Sequence, residues 1–356
     1  MNGQIIEILP ADAAAFLSKG FLWDIYQWGI AIIRVIQEIK SPALTAFMKF
    51  ITALGTETLY LPLILFILWW IDEKQGLRLG ILVILSAWIN SFIKDLWKQP
   101  RPYHLDPSLG LVTEHSYGAP SGHSQMSMTF WLPMAAWLSK LWPQRRKIIW
   151  TSAIFFVLLI AFTRLYLGAH FPTDVFTGWF FAGIIITLFF VFHSRLENLL
   201  TQGNLRSQNL IIAFIALLMT AAYARYRILP AIFLGFCLGY TMMKNRFPFS
   251  ARGEINGKKP GIRIMFFRCL TGFMGTGIIF LGLRLIFPGE GSLFGSLPVW
   301  GSNSPFYEIG HFLRYGALGF WASAGAPWIF QRMGLAASNF AADKKDENSP
   351  GAGSFK

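Results

Sequence analysis

The sequence predicts an all-α fold, a polytopic bundle of membrane-spanning helices, and three observations predict it. Hydrophobic residues fill 54% of the 356 positions and charged residues only 14%, too apolar a balance for one or two water-soluble domains. Apolar runs close to the ~20 residues that cross a hydrocarbon core recur along the whole chain. Basic residues gather in alternate loops between those runs, as they do in a chain threaded back and forth through a bilayer.

Taken in order, residues 1–54 read as an N-terminal interfacial segment. The run from Phe21 to Ile39 carries Asp24, Arg34 and Glu38 among aromatics and aliphatics. It could cross the membrane, but the pattern favours an amphipathic helix along the surface. The first twenty residues include Glu7, Pro10, Asp12 and Lys19 without a basic start and apolar centre, so no secretory signal is expected and insertion begins at an internal span. About nine spans follow, near residues 57–72, 77–97, 123–141, 148–167, 173–193, 209–224, 229–243, 263–287 and 311–330. Residues 55–195 are expected to form one membrane core and 196–340 a set of additional C-terminal spans. The polar tail 341–356 is expected to be disordered. Cys237 and Cys269 fall inside spans, where cysteine packs as a small residue and says nothing of redox compartment.

The net charge of +13 would suit a nucleic-acid partner if it formed one face, but it is sorted by side. Lys74 and Arg78, then Lys140, Arg145, Arg146 and Lys147, then Arg195 and Arg206, then the cluster from Lys244 to Arg263, then Arg332, Lys344 and Lys345 occupy alternating loops. The positive-inside rule places these in the cytoplasm and removes the need for nucleic acid. By parity, residues 98–122, 168–172, 225–228 and 288–310 lie on the other side.

Three polar clusters fall on that non-cytoplasmic side: Lys94 with Arg101 and Pro102; Pro120, Ser121, Gly122 and His123; and Thr163 and Arg164 with His170 and Asp174. A phosphoryl group needs fixed cations on its non-bridging oxygens, a nucleophile for phosphorus and an acid for the departing oxygen. Lys94, Arg101 and Arg164 are candidate cations, Arg101 with the planar fork that suits an oxyanion. Ser121 fits a helix N-cap whose backbone donors favour an anion, and Gly122 allows close backbone approach. His123 is the candidate general acid. Four residues after His170, Asp174 can accept the Nδ1 proton and leave Nε2 as the attacking lone pair. Each cluster has a plainer reading: a snorkelling Lys94, an interfacial Arg101, a helix cap with an incidental His123, a His170–Asp174 pair that stitches a loop. Their joint occurrence favours chemistry.

The spacings Lys-x6-Arg-Pro, Pro-Ser-Gly-His and Arg-x5-His-x3-Asp resemble those of the type 2 phosphatidic acid phosphatase superfamily, over roughly residues 55–195. The resemblance implies a phosphatidic acid phosphatase-like helical core, a phosphohistidine intermediate, and no metal or other cofactor. Vanadate, held in the same pocket by a soluble branch of that superfamily, is expected to inhibit. Thr163 stands where the pattern usually has Ser. The partners expected are a phosphorylated lipid substrate and the bilayer, with the oligomeric state open.

The leading function is hydrolysis of a lipid phosphomonoester or polyprenyl diphosphate, at the outer face of a bacterial inner membrane or a luminal face. A phosphotransferase passing the phosphoryl group to a lipid or sugar hydroxyl is the alternative, and a lipid transporter is the reading from another class. Several further features stay unassigned. Arg268 and Arg284 lie inside one span, where charge seeks partners or a cavity. Glu308, His311 and Arg314 share a helix face that either reaches a head group or anchors the helix at the interface. Asn303, Glu114, His115 and Tyr117 lie in outer loops and could shape substrate choice.

Overall fold

The computed structural model describes residues 20–202, 204–223, 226–255, 257–287 and 305–337. Helices dominate, and the described residues contain no strand beyond one isolated bridge between Ile255 and Lys258. The chain folds as two compact units, one of residues up to Pro62 with Leu82–His193, the other of Leu63–Ile81 with the residues from Ser194 on.

The first unit opens with α1 (Phe21–Gln37), whose buried residues Tyr26, Gly29, Ile30, Ile33 and Gln37 recur every three or four positions and form one stripe. Helix α2 (Pro42–Ala53) starts with Ser41 capping the Leu44 amide and Pro42 in its first turn. The chain passes into the second unit within α3 (Glu57–Phe66), makes a π-helical turn there (Ile67–Ile71), and returns to the first unit within the 25-residue α4 (Glu73–Trp97). The short α5 (Pro102–Leu105) and a polar loop lead to α6 (Gly122–Leu141). Pro143 forces a tight turn into α7 (Arg146–Tyr166), which packs back along α6. Both α1 and α2 lie against α7, and α8 (Pro172–Gln202) leaves the unit.

The second unit contains α9 (Leu205–Ala222), α10 (Ile228–Arg246), α11 (Ile262–Ile286), α12 (Pro305–Phe320), a π-helical turn (Trp321–Gly325) and α13 (Ala326–Arg332). Backbones of α10 and α12 touch: a Cβ on Gly235 would sit 1.8 Å from the Gly316 carbonyl oxygen, so only glycine fits. The partners of Arg268 are backbone carbonyls. Fully buried, it donates to Leu335 at 2.8 Å, Ala251 at 2.6 Å and Trp69 at 3.2 Å, and lies over the Phe249 ring. Arg284 is exposed.

Among the described residues six helices are long and apolar enough to cross a membrane, or seven if one bent pair counts as a span, so the chain is a multi-pass membrane protein. The expected nine is not reached on this measure. The run at 123–141 lies in a helix that begins Gly-His-Ser-Gln, and the run at 311–330 is broken by the π-helical turn. The expected tail 341–356 and Asn303 lie outside the described residues.

Candidate active site

All three sequence clusters converge in the first unit. Lys94, in the last turn of α4, is buried and its Nζ donates to the carbonyls of Tyr117 (2.5 Å) and Gly118 (3.1 Å). One turn earlier Asn90 donates to Gln125 (2.8 Å) and to the Pro120 carbonyl (3.3 Å), tying α4 to the start of α6. Burying these polar groups is tolerable because each has a partner.

Arg101 precedes α5, whose first residue is Pro102, and has no solvent exposure. Its guanidinium donates to the Ser116 carbonyl and hydroxyl (2.7 and 2.9 Å), the Tyr117 carbonyl (3.1 Å) and the Ala169 carbonyl (2.9 Å). The same Nη1 stands 3.3 Å from His170 Nε2. Arg164 closes α7, 1% exposed, with Nη1 donating to the Thr52 hydroxyl at 2.8 Å. Its buried Nε has no acceptor among the described residues, which leaves a donor for an incoming oxyanion. Thr163 is buried and turns its hydroxyl back to the Ile160 carbonyl (2.6 Å), a bond a Ser hydroxyl would make equally.

The helix cap forms as the sequence suggests. Ser121 accepts from the Ser124 amide (3.4 Å) and hydroxyl (3.0 Å), while its own amide donates to the Asp174 carbonyl (2.8 Å) and joins the second cluster to the third. A Cβ on Gly122 would lie 3.2 Å from Asn90 Oδ1. His123 occupies the first turn of α6, within electrostatic range of Arg164 and Glu114.

His170 is 1% exposed in the turn between α7 and α8. Its Nδ1 lies 3.2 Å from Asp174 Oδ2, which also accepts the Phe171 amide at 3.0 Å. When its carboxylate is ionised, Asp174 holds the proton on Nδ1 and leaves the Nε2 lone pair facing Arg101. Burial, and then the charges of Arg101, Lys94 and Arg164, push the His170 pKa well below the usual histidine value. The ring is neutral at physiological pH, as a nucleophile requires.

One member of this site carries no spacing that marks it in the sequence. Glu114, from the loop after α5, pairs with Arg101 Nη2 at 2.8 Å and with Arg164 Nη2, and its Oε2 lies 3.9 Å from His170 Nε2. Its partial burial opposes ionisation, but the two guanidiniums outweigh that and hold its carboxyl at about 2. The Tyr103 phenol fixes the Glu114 backbone, with 3.1 Å bonds at both its carbonyl and its amide. Ser116 and Thr52 are further unforeseen contributors. Their roles come from chain crossings that no local pattern encodes. Glu308, His311 and Arg314 belong to the second unit, where Glu308 pairs with Arg227 at 3.8 Å and Arg314 lies over Tyr315. Among the described residues no three His, Cys, Asp or Glu side chains are grouped to hold a metal ion.

Comparison with known proteins identifies residues 75–198 with the PAP2 superfamily and residues 228–338 with the transmembrane extension of PAP2 superfamily phosphatases. Phosphatidylglycerophosphatase B of Bacillus subtilis is 31% identical over 163 residues, covering 44% of this chain and 78% of that protein. An undecaprenyl-diphosphatase of Sulfolobus acidocaldarius is 25% identical over 161 residues, 43% of this chain and 72% of the other. A dihydrosphingosine 1-phosphate phosphatase of Saccharomyces cerevisiae is 28% identical over 147 residues, 39% of this chain but only 36% of the yeast protein. A crystal structure of a transmembrane PAP2-type phosphatidylglycerolphosphate phosphatase from Bacillus subtilis shares 27% identity, with a TM-score of 0.44, over 51% of this chain and 90% of the other. Residues 228–338 thus match an extension found in PAP2 superfamily phosphatases, and the chain belongs to the PAP2 superfamily of phosphatases.

Proposed function

We propose that this protein is a membrane-embedded lipid phosphatase that hydrolyses a lipid phosphomonoester or polyprenyl diphosphate through a phosphohistidine, with its site on the non-cytoplasmic face. The observation that carries the reading is the geometry of His170, with Nδ1 3.2 Å from Asp174 Oδ2 and Nε2 3.3 Å from the guanidinium of Arg101. Phosphatases of phosphatidylglycerophosphate, undecaprenyl diphosphate and sphingoid phosphates among the relatives support a substrate whose phosphate ends a long apolar chain.

In the first step Nε2 of His170 attacks phosphorus in line, the P–O bond to the lipid breaks, and His123 gives its proton to the departing oxygen. Charge on the phosphoryl oxygens is met by Arg101 and Arg164, including the free Nε of Arg164, with Lys94 adding a positive field behind them. In the second step His123 takes a proton from water, the water oxygen attacks phosphorus, and the P–N bond breaks to release phosphate and return neutral His170. Asp174 holds the ring throughout and stabilises the positive charge it gains.

Phosphate release by purified protein, in detergent or lipid with chelator present, tests this across phosphatidic acid, phosphatidylglycerophosphate, undecaprenyl diphosphate and a sphingoid phosphate. Release from one or more lipids is expected, falling by about 10³-fold or more in His170→Ala. Near-normal release in that variant would sink the role given to His170. Transfer of phosphate to an added alcohol in preference to water would move the reading to a phosphotransferase.

A further inference from the structure

The position of Glu114 points beyond the reaction to what the pocket admits. We infer that Glu114 is the resident anion of the phosphoryl pocket, displaced by substrate, and that it sets the charge a phosphate group must carry to enter. The inference rests on assigning Arg101, Arg164 and His170 to the phosphoryl group.

Three contacts define the overlap. The Glu114 carboxylate bonds to Nη2 of Arg101 at 2.8 Å, bonds to Nη2 of Arg164, and places Oε2 3.9 Å from His170 Nε2. A phosphorus atom poised for attack stands about 3 to 3.5 Å from that nitrogen, with oxygens on the same guanidinium donors. Carboxylate and phosphoryl group therefore compete for one volume. Arg101, Arg164 and His170 behind it are at most 1% exposed, whereas the Glu114 side chain is 25% exposed, so it lies on the solvent side of the cluster. Because the Tyr103 phenol holds the Glu114 backbone at both its amide and its carbonyl, displacement needs only side-chain rotation.

The consequence is a filter. A tethered carboxylate competes at an effective concentration in the millimolar range or above. A phosphodiester carries one negative charge, like the carboxylate, and gains nothing electrostatically by replacing it. A phosphomonoester near pH 7 carries about 1.5 to 2 negative charges, and a diphosphate carries more, so each gains from two guanidiniums and Lys94. Bulk bilayer phospholipids are phosphodiesters. Glu114 keeps their phosphates off the arginines while admitting the monoester or diphosphate that is hydrolysed.

The test uses the full chain in mixed micelles, with phosphatidic acid as substrate and two probes, orthovanadate and phosphatidylglycerol. In the parent, vanadate inhibits and added phosphatidylglycerol leaves the KM for phosphatidic acid unchanged. In Glu114→Gln, and in Glu114→Ala, the vanadate inhibition constant is expected to fall by about tenfold or more, and phosphatidylglycerol becomes a competitive inhibitor. Vanadate inhibition unchanged or weaker in both variants, or equal diester inhibition of parent and variants, would overturn the inference. Should neither variant fold, Tyr103→Phe removes both bonds that hold the Glu114 backbone and should lower the vanadate constant by a smaller factor. No change there overturns the inference equally. A parent that neither releases phosphate nor responds to vanadate would instead overturn the phosphatase assignment, and the filter with it.

Discussion

At the scale of single residues, the proposed chemistry depends on keeping a buried histidine neutral among arginines. Below about 6.5, the ordinary histidine value, the unfolded chain takes up a proton that folded His170 refuses. Stability attributable to this group is therefore complete above that pH and declines below it, by about 1.4 kcal/mol per pH unit for one proton. Glu114 works in a separate window: held at about 2, it contributes fully above the usual carboxylate range and loses that contribution only as the pH falls toward 2. The expectation is that His170→Asn flattens the dependence of the unfolding midpoint on pH between 6.5 and 5, relative to the parent. Equal slopes in detergent-solubilised parent and variant would mean that the folded ring is protonated. The His170–Asp174 pairing was legible in the sequence because four residues make one helical turn and bring the groups together locally. Glu114 was not, since its partners Arg101 and Arg164 lie 13 and 50 positions away and only folding brings them to it.

Among the elements, α1 does more than its amphipathic pattern suggests. Its sequence predicts a helix with one apolar face along the membrane surface, and Phe21 and Val35 do remain exposed. Its buried stripe, however, packs against the loops that carry the candidate site. Tyr26 packs on Phe171 with ring centroids 4.8 Å apart and bonds to Gln99. Gln37 donates to the carbonyls of Leu109 (2.9 Å) and Tyr166 (2.8 Å), and Arg34 pairs with Asp106 at 2.7 Å. These contacts hold segments on both sides of the site, although α1 lies outside the region matched to the superfamily. Where α1 crosses Phe171, a Cβ on Gly29 would come within 2.7 Å of Phe171 Cδ1. Gly29→Ala must push Phe171, the residue after His170, and so tilt the proposed nucleophile. A displacement approaching 1 Å costs up to about 10²-fold, so kcat should fall while KM stays near the parent value. A change confined to KM would show that α1 does not position His170.

At the scale of the whole molecule, the proposed orientation in the bilayer rests on α7, one of the six helices apolar enough to cross it. Its 21 residues span about 30 Å, the thickness of a hydrocarbon core, with Arg164 and the candidate site at one end and Arg145, Arg146 and Lys147 at the other. With Cys237 and Cys269 replaced, Ser108→Cys should react with a membrane-impermeant thiol reagent on intact cells, and Gln144→Cys only after permeabilisation. The reverse pattern would place the site in the cytoplasm. The sequence by itself determined that the chain is a helical membrane protein and singled out the spaced polar clusters that the fold brings together, because apolar length, charge sorting and one-turn spacings are properties of contiguous chain. Tertiary structure decided what long-range packing alone sets: the carbonyls that hold Lys94, Arg101 and Arg268, the clamp of α1 on the catalytic loops, and the carboxylate of Glu114 between two arginines. Such partners are chosen by where backbones cross, and a linear pattern of residues does not specify that geometry.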